Sequence, residues 1–410
     1  MQRVFLSPPH MKQEETKEPA GEAKKLVYWS MWEATEPQGQ VIQEAINAFT
    51  AETGIEVDAQ FKGRTGIREG LQPALDSGLQ IDLFDEDINR VNVQWGKYLY
   101  DLTPLVEANG YDKTGFAATL IAAKEAGNGK YMSLPYQPFI FNMFYNKDLF
   151  NQAGVKELPK TWDEFLAVCE TLKGAGVIPM TFDDAYAVAL FGYHIGRYLG
   201  QEGVEDLVVN GKWAETPEVL AAAKDIQTMA EKGYFSPQVG GNVWPAGQNT
   251  ELALGSAAMY LNGSWLPNEV KDITGPDFEW GCFSYPSVNG GKADTSYANY
   301  GAQVFAVNKD SKLAEEAFKL IEKITRGEFD AKLAQESMGI PSDANNTDWP
   351  KQLAEVKPVL EQTAHRWDWA VNAGKNADME PAIKENFIKL AAGSITAEDF
   401  VKALEEASSK

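Results

Sequence analysis

The chain has 410 residues, of which 44% are apolar and 23% are charged, and its formal charge at pH 7 is −22. That length accommodates two domains of ordinary size, and no apolar run approaches the ~18 residues of a membrane-spanning helix, so a soluble globular protein is expected. So acidic a chain repels phosphate backbones, which argues against nucleic acid as a partner.

Residues 1–25 are predicted to lie outside the fold, as the remnant of a tag followed by a disordered tether. The opening letters, MQRVFLSPPHM, lack the charged segment and the long apolar stretch of a signal peptide. The next stretch, KQEETKEPAGEAKK, is charged and has no apolar residues able to anchor it to a core.

The folded part begins with strands and helices in alternation. KKLVYWSMW predicts a strand, and IEVDAQF, with apolar letters at every second position, predicts another. Between them, VIQEAINAFTAETG places its apolar residues on one helical face, and Gly54 can end that helix. The apolar residues of this face are Val41, Ile42, Ala45, Ile46 and Phe49. This order indicates a parallel βαβ unit, and IREGLQPALDSG followed by IDLFDED repeats the pattern.

The middle of the chain changes to a long extended segment and then to helices. GKYMSLPYQPFIFNMFYNKDLF predicts the extended segment. In LPKTWDEFLAVCETLKGAG, Thr161 and Glu164 have the spacing of a capping box, and Gly174 ends the helix. Strand-like stretches return at AAMYL and GAQVFAVN, followed by two more helices. Cys169 and Cys282 are too few for a disulfide framework, so both are interpreted as small core residues.

The sequence lacks the residue patterns that metal sites and several kinds of catalytic or nucleotide-binding site need. The three histidines, His10, His194 and His365, do not have the spacing of a metal site. The acidic run from Asp82 to Asp87 lacks the turn glycine and the final Glu of a calcium loop. No nucleophile-elbow, P-loop or dinucleotide-binding motif is present. We therefore expect no catalytic residues, no metal and no cofactor, and ligand binding that is flat from about pH 5.5 to 8.

Aromatic residues cluster at predicted turns, in WSMW, LPYQPF, NVWPAG, NGSW and HRWDW. Aromatic rings beside polar residues at turns suit a binding surface better than a core. A sugar offers a flat C–H face and a rim of hydroxyls, so it is held by stacking rings together with Asp, Glu, Asn, Gln and Arg. The sequence therefore favours a carbohydrate ligand.

Four blocks, in this order, resemble the family 1 extracellular solute-binding proteins, the maltose-binding-protein-like sugar receptors of ABC importers. They are LYDLTPLVE, GKYMSLPYQPFIFNMFYNKDLFNQAGVKELPKTWDEFLAVCETLKGAG, LALGSAAMYLNGSW and GAQVFAVNKDSKLAEEAFKLIEKIT. The resemblance covers residues 26–410. It implies an α/β, two-lobed periplasmic-binding-protein fold, type II-like, whose lobes close on a ligand cleft between them.

The same resemblance implies three crossings between the lobes, near LPYQP, FSYPSV and GIPSD. Lobe one then contains residues 26–137 and 288–340, and lobe two contains residues 138–287 and 341–410.

Trp265 is the strongest candidate for ligand contact. It follows the strand-like AAMYL, and ligands of open α/β sheets bind beyond the carboxyl ends of the strands. The resemblance implies that a Trp at this turn stacks on sugar. The alternative is a core role.

The other candidates lie at strand ends, on the first crossing segment or in aromatic turns. Trp32 and Glu33 follow the first strand, Asp85 ends IDLF, and Tyr136 and Gln137 lie on the first crossing segment. Core, capping and hinge-packing roles are the alternatives for these residues. Further cleft candidates are Arg64, Asp183, Asp184, Tyr186, Trp244, Asn299, Tyr300, Arg366, Trp367 and Asp368.

The resemblance implies a non-catalytic receptor that delivers a sugar to the permease subunits of an ABC transporter. Several aromatic turns favour an oligosaccharide over a monosaccharide. A monomer is expected, on the extracellular face of a Gram-positive-type membrane and lipid-anchored through an acylated Cys that this sequence does not contain. Two alternatives stay open: a secreted carbohydrate-active enzyme with a carboxylate pair, and a receptor of the same fold for a non-sugar solute.

Overall fold

The computed structural model describes residues 24–409. Its strands are β1 (Lys25–Ser30), β2 (Glu56–Phe61), β3 (Leu83–Asp87), β4 (Leu134–Asn146), β5 (Ile178–Thr181), β6 (Ala257–Gly263), β7 (Trp280–Phe283), β8 (Tyr297–Val307) and β9 (His365–Trp367). Its helices are α1 (Pro37–Thr53), α2 (Gly63–Asp76), α3 (Thr103–Asn109), α4 (Ala117–Ala126), α5 (Lys147–Ala153), α6 (Trp162–Gly174), α7 (Ala187–Asn210), α8 (Pro217–Glu231), α9 (Ala246–Ala253), α10 (Leu266–Glu269), α11 (Lys271–Thr274), α12 (Ala314–Thr325), α13 (Gly327–Ser337), α14 (Val356–Gln362), α15 (Glu380–Ala391) and α16 (Ala397–Ser408). Within residues 24–409, no helix combines the length and the apolar character needed to cross a membrane.

The predicted tag and tether fall almost wholly on residues 1–23, which lie outside the described residues. Lys25, the last residue of the predicted tether, already begins β1 and pairs with Glu56 of β2.

Local sequence signals account for several elements of the fold. α1 buries its predicted apolar face, and Gly54 ends it in the left-handed conformation, with φ of 73°. The predicted capping box of α6 is confirmed: Thr161 and Glu164 each accept a hydrogen bond from the other's backbone N–H. Cys169 and Cys282 are both buried and unbonded, as predicted for core residues.

A nine-stranded mixed sheet runs through both halves of the molecule, in the order β2-β1-β3-β8-β4-β6-β5, with β7 on β4 and β9 on β8. β1 is parallel to β2 and to β3, as a βαβ unit requires. β4 is antiparallel to β8 through its first part, and to β6 and β7 through its second part. β4 and β8 therefore belong to both lobes, and the predicted two-lobed α/β fold is confirmed.

The strand β4 is interrupted where it passes between the lobes. The register with β8 shifts between Tyr136 and Pro138, and Gln137 between them has φ of 44°. A positive φ is uncommon for a residue other than glycine, and a bulge of this kind bends its strand. The bend lies within LPYQP, the segment predicted to cross first.

Hydrogen bonds next to the other two crossings suggest where each lobe ends. The backbone N–H of Ala293 donates to the carbonyl of Arg197 in α7 (3.2 Å), which ties the segment before β8 to lobe two. The backbone N–H of Ala344 donates to the carbonyl of Thr114 (2.8 Å), which ties the segment after α13 to lobe one. We therefore propose later crossings than the sequence implied.

β8 pairs with β9 as far as Asn299 and with β3 from Gln303 onward, and Lys351 pairs with Glu279. In this proposed division lobe one contains residues 26–137 and 302–349, and lobe two contains residues 138–301 and 350–409.

Candidate functional site

A cavity of about 820 Å³ lies between the two lobes. Its volume is within the range of small-molecule binding sites, ~300–1,000 Å³. Lobe one contributes α2, the end of β3 and the turn that follows, while lobe two contributes the start of α7 and several loops. The lining residues are Arg68, Asp87, Asn89, Arg90, Val93, Gln94, Phe139, Ala185, Tyr186, Trp244, Trp265, Asn299, Gln303 and Trp369.

Trp265 lies on the lobe-two wall, directly after β6. This strand is buried along its whole length and ends at Gly263. A Cβ at Gly263 would lie 2.3 Å from the Trp265 ring, so the glycine lets the indole lie against the strand end. The ring packs edge to face with Phe139 (centroids 5.5 Å apart), and its Nε1–H donates to the Tyr186 hydroxyl (3.3 Å). Trp265 is half-buried and lines the cavity, a geometry that favours the binding role over the core role.

Two further tryptophans lie on the same wall and are unusually exposed. Trp244 is 43% exposed and Trp369 is 42% exposed. The backbone N–H of Trp244 donates to the Asp184 carboxylate (3.0 Å), and Trp369 packs edge to face with Phe141 (5.1 Å). Exposed aromatic rings fixed along a cavity are suited to stack on a ligand.

The lobe-one wall is polar. The buried carboxylate of Glu86 pairs with two guanidinium groups, of Arg68 (2.5 Å) and Arg90 (3.4 Å). Asp87 accepts the backbone N–H of Asn89 (2.9 Å), and burial raises the pKa of Asp87. Two arginines therefore face two carboxyl groups, so this wall offers hydrogen-bonding groups without a large excess of either charge.

Strand β8 contributes two hydrogen-bond acceptors to the cavity. Asn299 Oδ1 and Gln303 Oε1 are buried and accept no hydrogen bond from any residue between 24 and 409. Asn299 is only 2% exposed. The two side chains lie on the same face of the strand, because strand side chains alternate with a period of two. A buried acceptor without a partner costs free energy, so both oxygens are suited to receive ligand donors.

A smaller cavity of about 50 Å³ adjoins the first and shares three lining residues with it. Trp32 and Gln137, both predicted ligand contacts, line this smaller cavity. The Arg64 guanidinium lies 4.6 Å from the centroid of the Trp32 ring and pairs with Glu36 (2.8 Å). Arg64 therefore supports Trp32 and is not among the lining residues of either cavity.

Asp85 and Tyr136 lie behind the cavity wall, and both are fully buried. Asp85 accepts hydrogen bonds from the Tyr28 hydroxyl (3.0 Å), the Met31 backbone N–H (3.1 Å) and the Tyr136 hydroxyl. The Tyr136 oxygen in turn accepts the Nε1–H of Trp32 (2.6 Å). Neither residue can touch a ligand directly in this arrangement. Burial raises the pKa of Asp85 to about 6, so the premise of the flat pH profile, carboxylates that titrate near 4, does not hold for Asp85.

Asp183 has a comparable place in lobe two. Its carboxylate is buried, and it accepts the backbone N–H groups of Ala185 (2.7 Å) and Tyr186 (2.9 Å) and the hydroxyl of Tyr260. Burial raises its pKa. Tyr186 itself lines the cavity. Asp183 and Asp184 therefore fix aromatic residues of the wall and do not line it.

The remaining predicted contacts are not brought to the 820 Å³ cavity. Glu33 is exposed at the surface, and Tyr300 is buried beside Asn299 on the opposite face of β8. Arg366 and Trp367 line a separate cavity of about 600 Å³. Arg366 also pairs with Asp368 (2.9 Å) and donates to Asn89 Oδ1 (3.1 Å), so it contacts a lining residue of the cleft without lining the cleft itself.

Sequence reasoning missed most of the lobe-one wall. Arg68 comes from α2, and the π-helical turn Arg90–Gln94 follows β3 directly. The sequence could have pointed to the turn, because it lies beyond the carboxyl end of β3, where ligands of open α/β sheets bind. Gln303 could have been found by strand alternation from Asn299, and Trp369 lies in the HRWDW cluster that the sequence had singled out.

The acidic run around β3 is occupied by internal contacts. Asp82 accepts the backbone N–H of Val27 (2.9 Å), and Asp85 and Glu86 have the partners described above. Nowhere in the described part of the chain do three or more His, Cys, Asp or Glu side chains form a group able to hold a metal ion.

Comparison with known proteins also finds similarity to solute-binding proteins. Residues 33–326 match the family of bacterial extracellular solute-binding proteins. Over 232 residues the chain is 27% identical to the diacetylchitobiose binding protein NgcE of Streptomyces coelicolor, covering 54% of this chain and 49% of that protein. Over 209 residues it is 26% identical to the multiple sugar-binding protein of Streptococcus mutans, covering 48% of each. The chain thus spans about half the length of the curated relatives it matches.

Among solved structures, a chitin oligosaccharide binding protein superposes with a TM-score of 0.70. The two chains are 20% identical, and the superposition covers 95% of this chain and 99% of that one. At this identity the superposition shows a common fold.

Proposed function

The chain belongs to the bacterial extracellular solute-binding protein family, and we propose that it is a non-catalytic receptor for an oligosaccharide. One observation carries the proposal: the cavity between the lobes has three tryptophans on one wall and hydrogen-bonding side chains on the other. Sugar rings present apolar C–H faces to aromatic rings and hydroxyls to polar groups, so the two walls match the two surfaces of a sugar. The sugar-binding names of the two curated relatives support the same class of ligand.

The cavity also favours a particular kind of sugar. Trp244, Trp265 and Trp369 extend along a cavity of about 820 Å³, which supports a ligand of more than one ring. Arg68 and Arg90 are balanced by nearby carboxyl groups, which supports a neutral ligand. The unpaired acceptors on β8 would receive hydroxyl donors.

Delivery to a transporter completes the proposal. Receptors of this family release their ligand to a membrane permease, so we expect permease subunits of an ABC transporter as the partner. We also propose an extracellular location with a lipid anchor, and a monomeric receptor.

A hydrolase reading has less support. Two-carboxylate glycoside hydrolysis needs a pair of acidic side chains that flank the bond to be cleaved. Among the residues that the structure places on the 820 Å³ cavity, Asp87 is the one carboxylate. A receptor needs no such pair.

Incubation with a panel of neutral oligosaccharides is expected to raise the melting temperature with at least one of them, without altering the sugar. A ligand present at 100 times its Kd stabilises the folded state by ~2.7 kcal/mol, which is readily measured. Chromatography of the same samples tests for hydrolysis. Cleavage products would favour the enzyme, and a panel that leaves the melting temperature unchanged throughout would count against the proposed ligand class.

Ligand binding is expected to bring the two lobes together. A sugar that contacts only the tryptophan wall leaves its outer hydroxyls in water, whereas closure adds Gln303, Asp87 and the arginines of the lobe-one wall. Small-angle X-ray scattering should therefore show a smaller radius of gyration at saturation. An unchanged radius in a sample shown by calorimetry to be saturated would contradict a hinged receptor.

A further inference from the structure

We propose that Asp85 is a positioning residue for the ligand cleft: its negative charge, acting through Tyr136, holds the indole of Trp32 at the cleft wall. Loss of that charge is expected to release the indole and weaken ligand binding. The inference rests on the proposed function only where it concerns binding, because the hold on Trp32 can be measured without any ligand.

The contacts form a continuous relay from the buried carboxylate to the cavity. The Nε1–H of Trp32 donates to the Tyr136 oxygen (2.6 Å), and the Tyr136 hydroxyl donates to Asp85. Trp32 lines the smaller cavity together with Trp265 of the opposite lobe. Tyr136 directly precedes Gln137, where the register of β4 shifts as the chain passes between the lobes. The relay therefore links the lobe-one sheet to both the cleft and the crossing strand.

The arrangement requires an ionised carboxylate. The donors that converge on Asp85 include the hydroxyls of Tyr28 and Tyr136 and the backbone N–H of Met31. The Ser30 side chain also hydrogen-bonds this carboxylate. A carboxylate accepts all of these hydrogen bonds, because it has acceptor sites and no proton of its own. A protonated carboxyl, or an amide at the same position, carries a donor of its own where the carboxylate has an acceptor. At least one of the hydrogen bonds to this side chain must then be lost. Tyr28 and Met31 share Oδ1, whereas Tyr136 is hydrogen-bonded to Oδ2. A proton or an NH2 group at the Oδ2 position therefore changes the bond to Tyr136, and with it the link to the indole at the cleft wall.

The surroundings of Asp85 leave this charge without a cation. The titratable groups that face it are Tyr28 from β1 and Tyr136 from β4, while β8 presents the ring of Phe305 opposite Asp85. Between residues 24 and 409, no Lys, Arg or His side chain forms an ion pair with Asp85. At the other end of the relay, the Arg64 guanidinium lies 4.6 Å from the centroid of the Trp32 ring.

Stability gives a second reason to assign a function to this charge. Burial raises the pKa of Asp85 to about 6, above the ~3.9 of an Asp in an unfolded chain. The folded state therefore binds more protons than the unfolded state between these values, so this group's contribution to stability falls as the pH rises from about 4 through 6. At neutral pH Asp85 is ionised and buried, and its contribution to the stability of the fold is then smaller than at low pH. This indicates that the charge has a role other than stability.

The test is the indole N–H resonance of Trp32 in the ¹⁵N-labelled full chain, assigned by comparison with Trp32→Phe. In the wild type we expect this resonance to shift with a midpoint near pH 6. Asp85→Asn and Tyr136→Phe should each abolish the titration. Tyr111→Phe is the matched control, because Tyr111 is another buried lobe-one tyrosine whose hydroxyl contacts a side chain outside the relay, that of Thr325 (2.9 Å). A Trp32 resonance that does not move between pH 5 and 8, or that still titrates in Tyr136→Phe, would overturn the proposal.

Calorimetry with diacetylchitobiose as the probe separates this inference from the proposed function. We expect Tyr136→Phe to weaken binding about threefold to tenfold at pH 7.5, and Tyr111→Phe to leave it unchanged. If the probe binds the wild type and both tyrosine variants equally, the relay is overturned while the receptor function stands. If diacetylchitobiose does not bind but the indole titrates as described, the relay stands and diacetylchitobiose is not a ligand of this receptor.

Discussion

Replacing Trp265 by alanine is expected to lower sugar affinity about 30- to 1,000-fold, which corresponds to ~2–4 kcal/mol. The half-buried ring lines both adjoining cavities and is fixed by Phe139 and by the Tyr186 hydroxyl. The substitution therefore removes a stacking surface that is already in place before the ligand arrives. Isothermal calorimetry measures the loss, and thermal unfolding of the same sample tests whether the chain remains folded.

Trp280→Ala is the matched control for this experiment. Trp280 is buried in β7 of lobe two, where it packs against Phe144 and Phe278, and it is not among the residues that line the cleft. We expect Trp280→Ala to lower the melting temperature more than Trp265→Ala does, with sugar affinity unchanged. If instead Trp265→Ala destabilises the chain as strongly as the control and binds normally once folded, Trp265 is a core residue.

Elements whose signal is local could be predicted from the sequence. The apolar face of α1 repeats with the helical period, and the capping box of α6 needs only residues three positions apart. The lobe boundaries have no such local signal, because each depends on a distant partner. The backbone N–H of Ala344 donates to the carbonyl of Thr114, which is far away in sequence. No local sequence pattern predicts such a contact.

In the candidate site, too, residues placed by local signals could be predicted and residues placed by distant partners could not. Asp85 is predicted to end a strand, where a side chain can contact ligand, cap a helix or be buried. It lies inside β3 instead, and its role depends on Tyr136, 51 positions away. In HRWDW, two tryptophans stand two residues apart, and Trp367 is the one predicted as a cleft candidate. The structure buries Trp367, which is 1% exposed, and leaves Trp369 on the cleft wall. The place of Trp265 at the cleft could be predicted because the strand, the glycine and the turn that position it are adjacent in sequence.

Gly263 offers a way to disturb Trp265 without changing it. A Cβ at Gly263 would lie 2.3 Å from the indole, so Gly263→Ala must move the ring off the strand end. The expected result is a loss of sugar affinity of about 10- to 100-fold, equivalent to ~1.4–2.8 kcal/mol. Overpacking at a buried position also costs ~1–3 kcal/mol of stability, so the effect on binding must be separated from the effect on folding.

Gly281→Ala provides that separation. Gly281 is a buried strand glycine in β7, and its Cβ would lie 2.1 Å from the ring of Tyr145, which is not among the residues lining the cleft. Both substitutions force an alanine methyl group against an aromatic ring in lobe two, so we expect similar falls in melting temperature. Only Gly263→Ala should weaken binding, because only there does the displaced ring face the ligand. Equal affinities for the two variants would show that the position of the Trp265 indole does not determine sugar binding, even if the indole contacts the sugar.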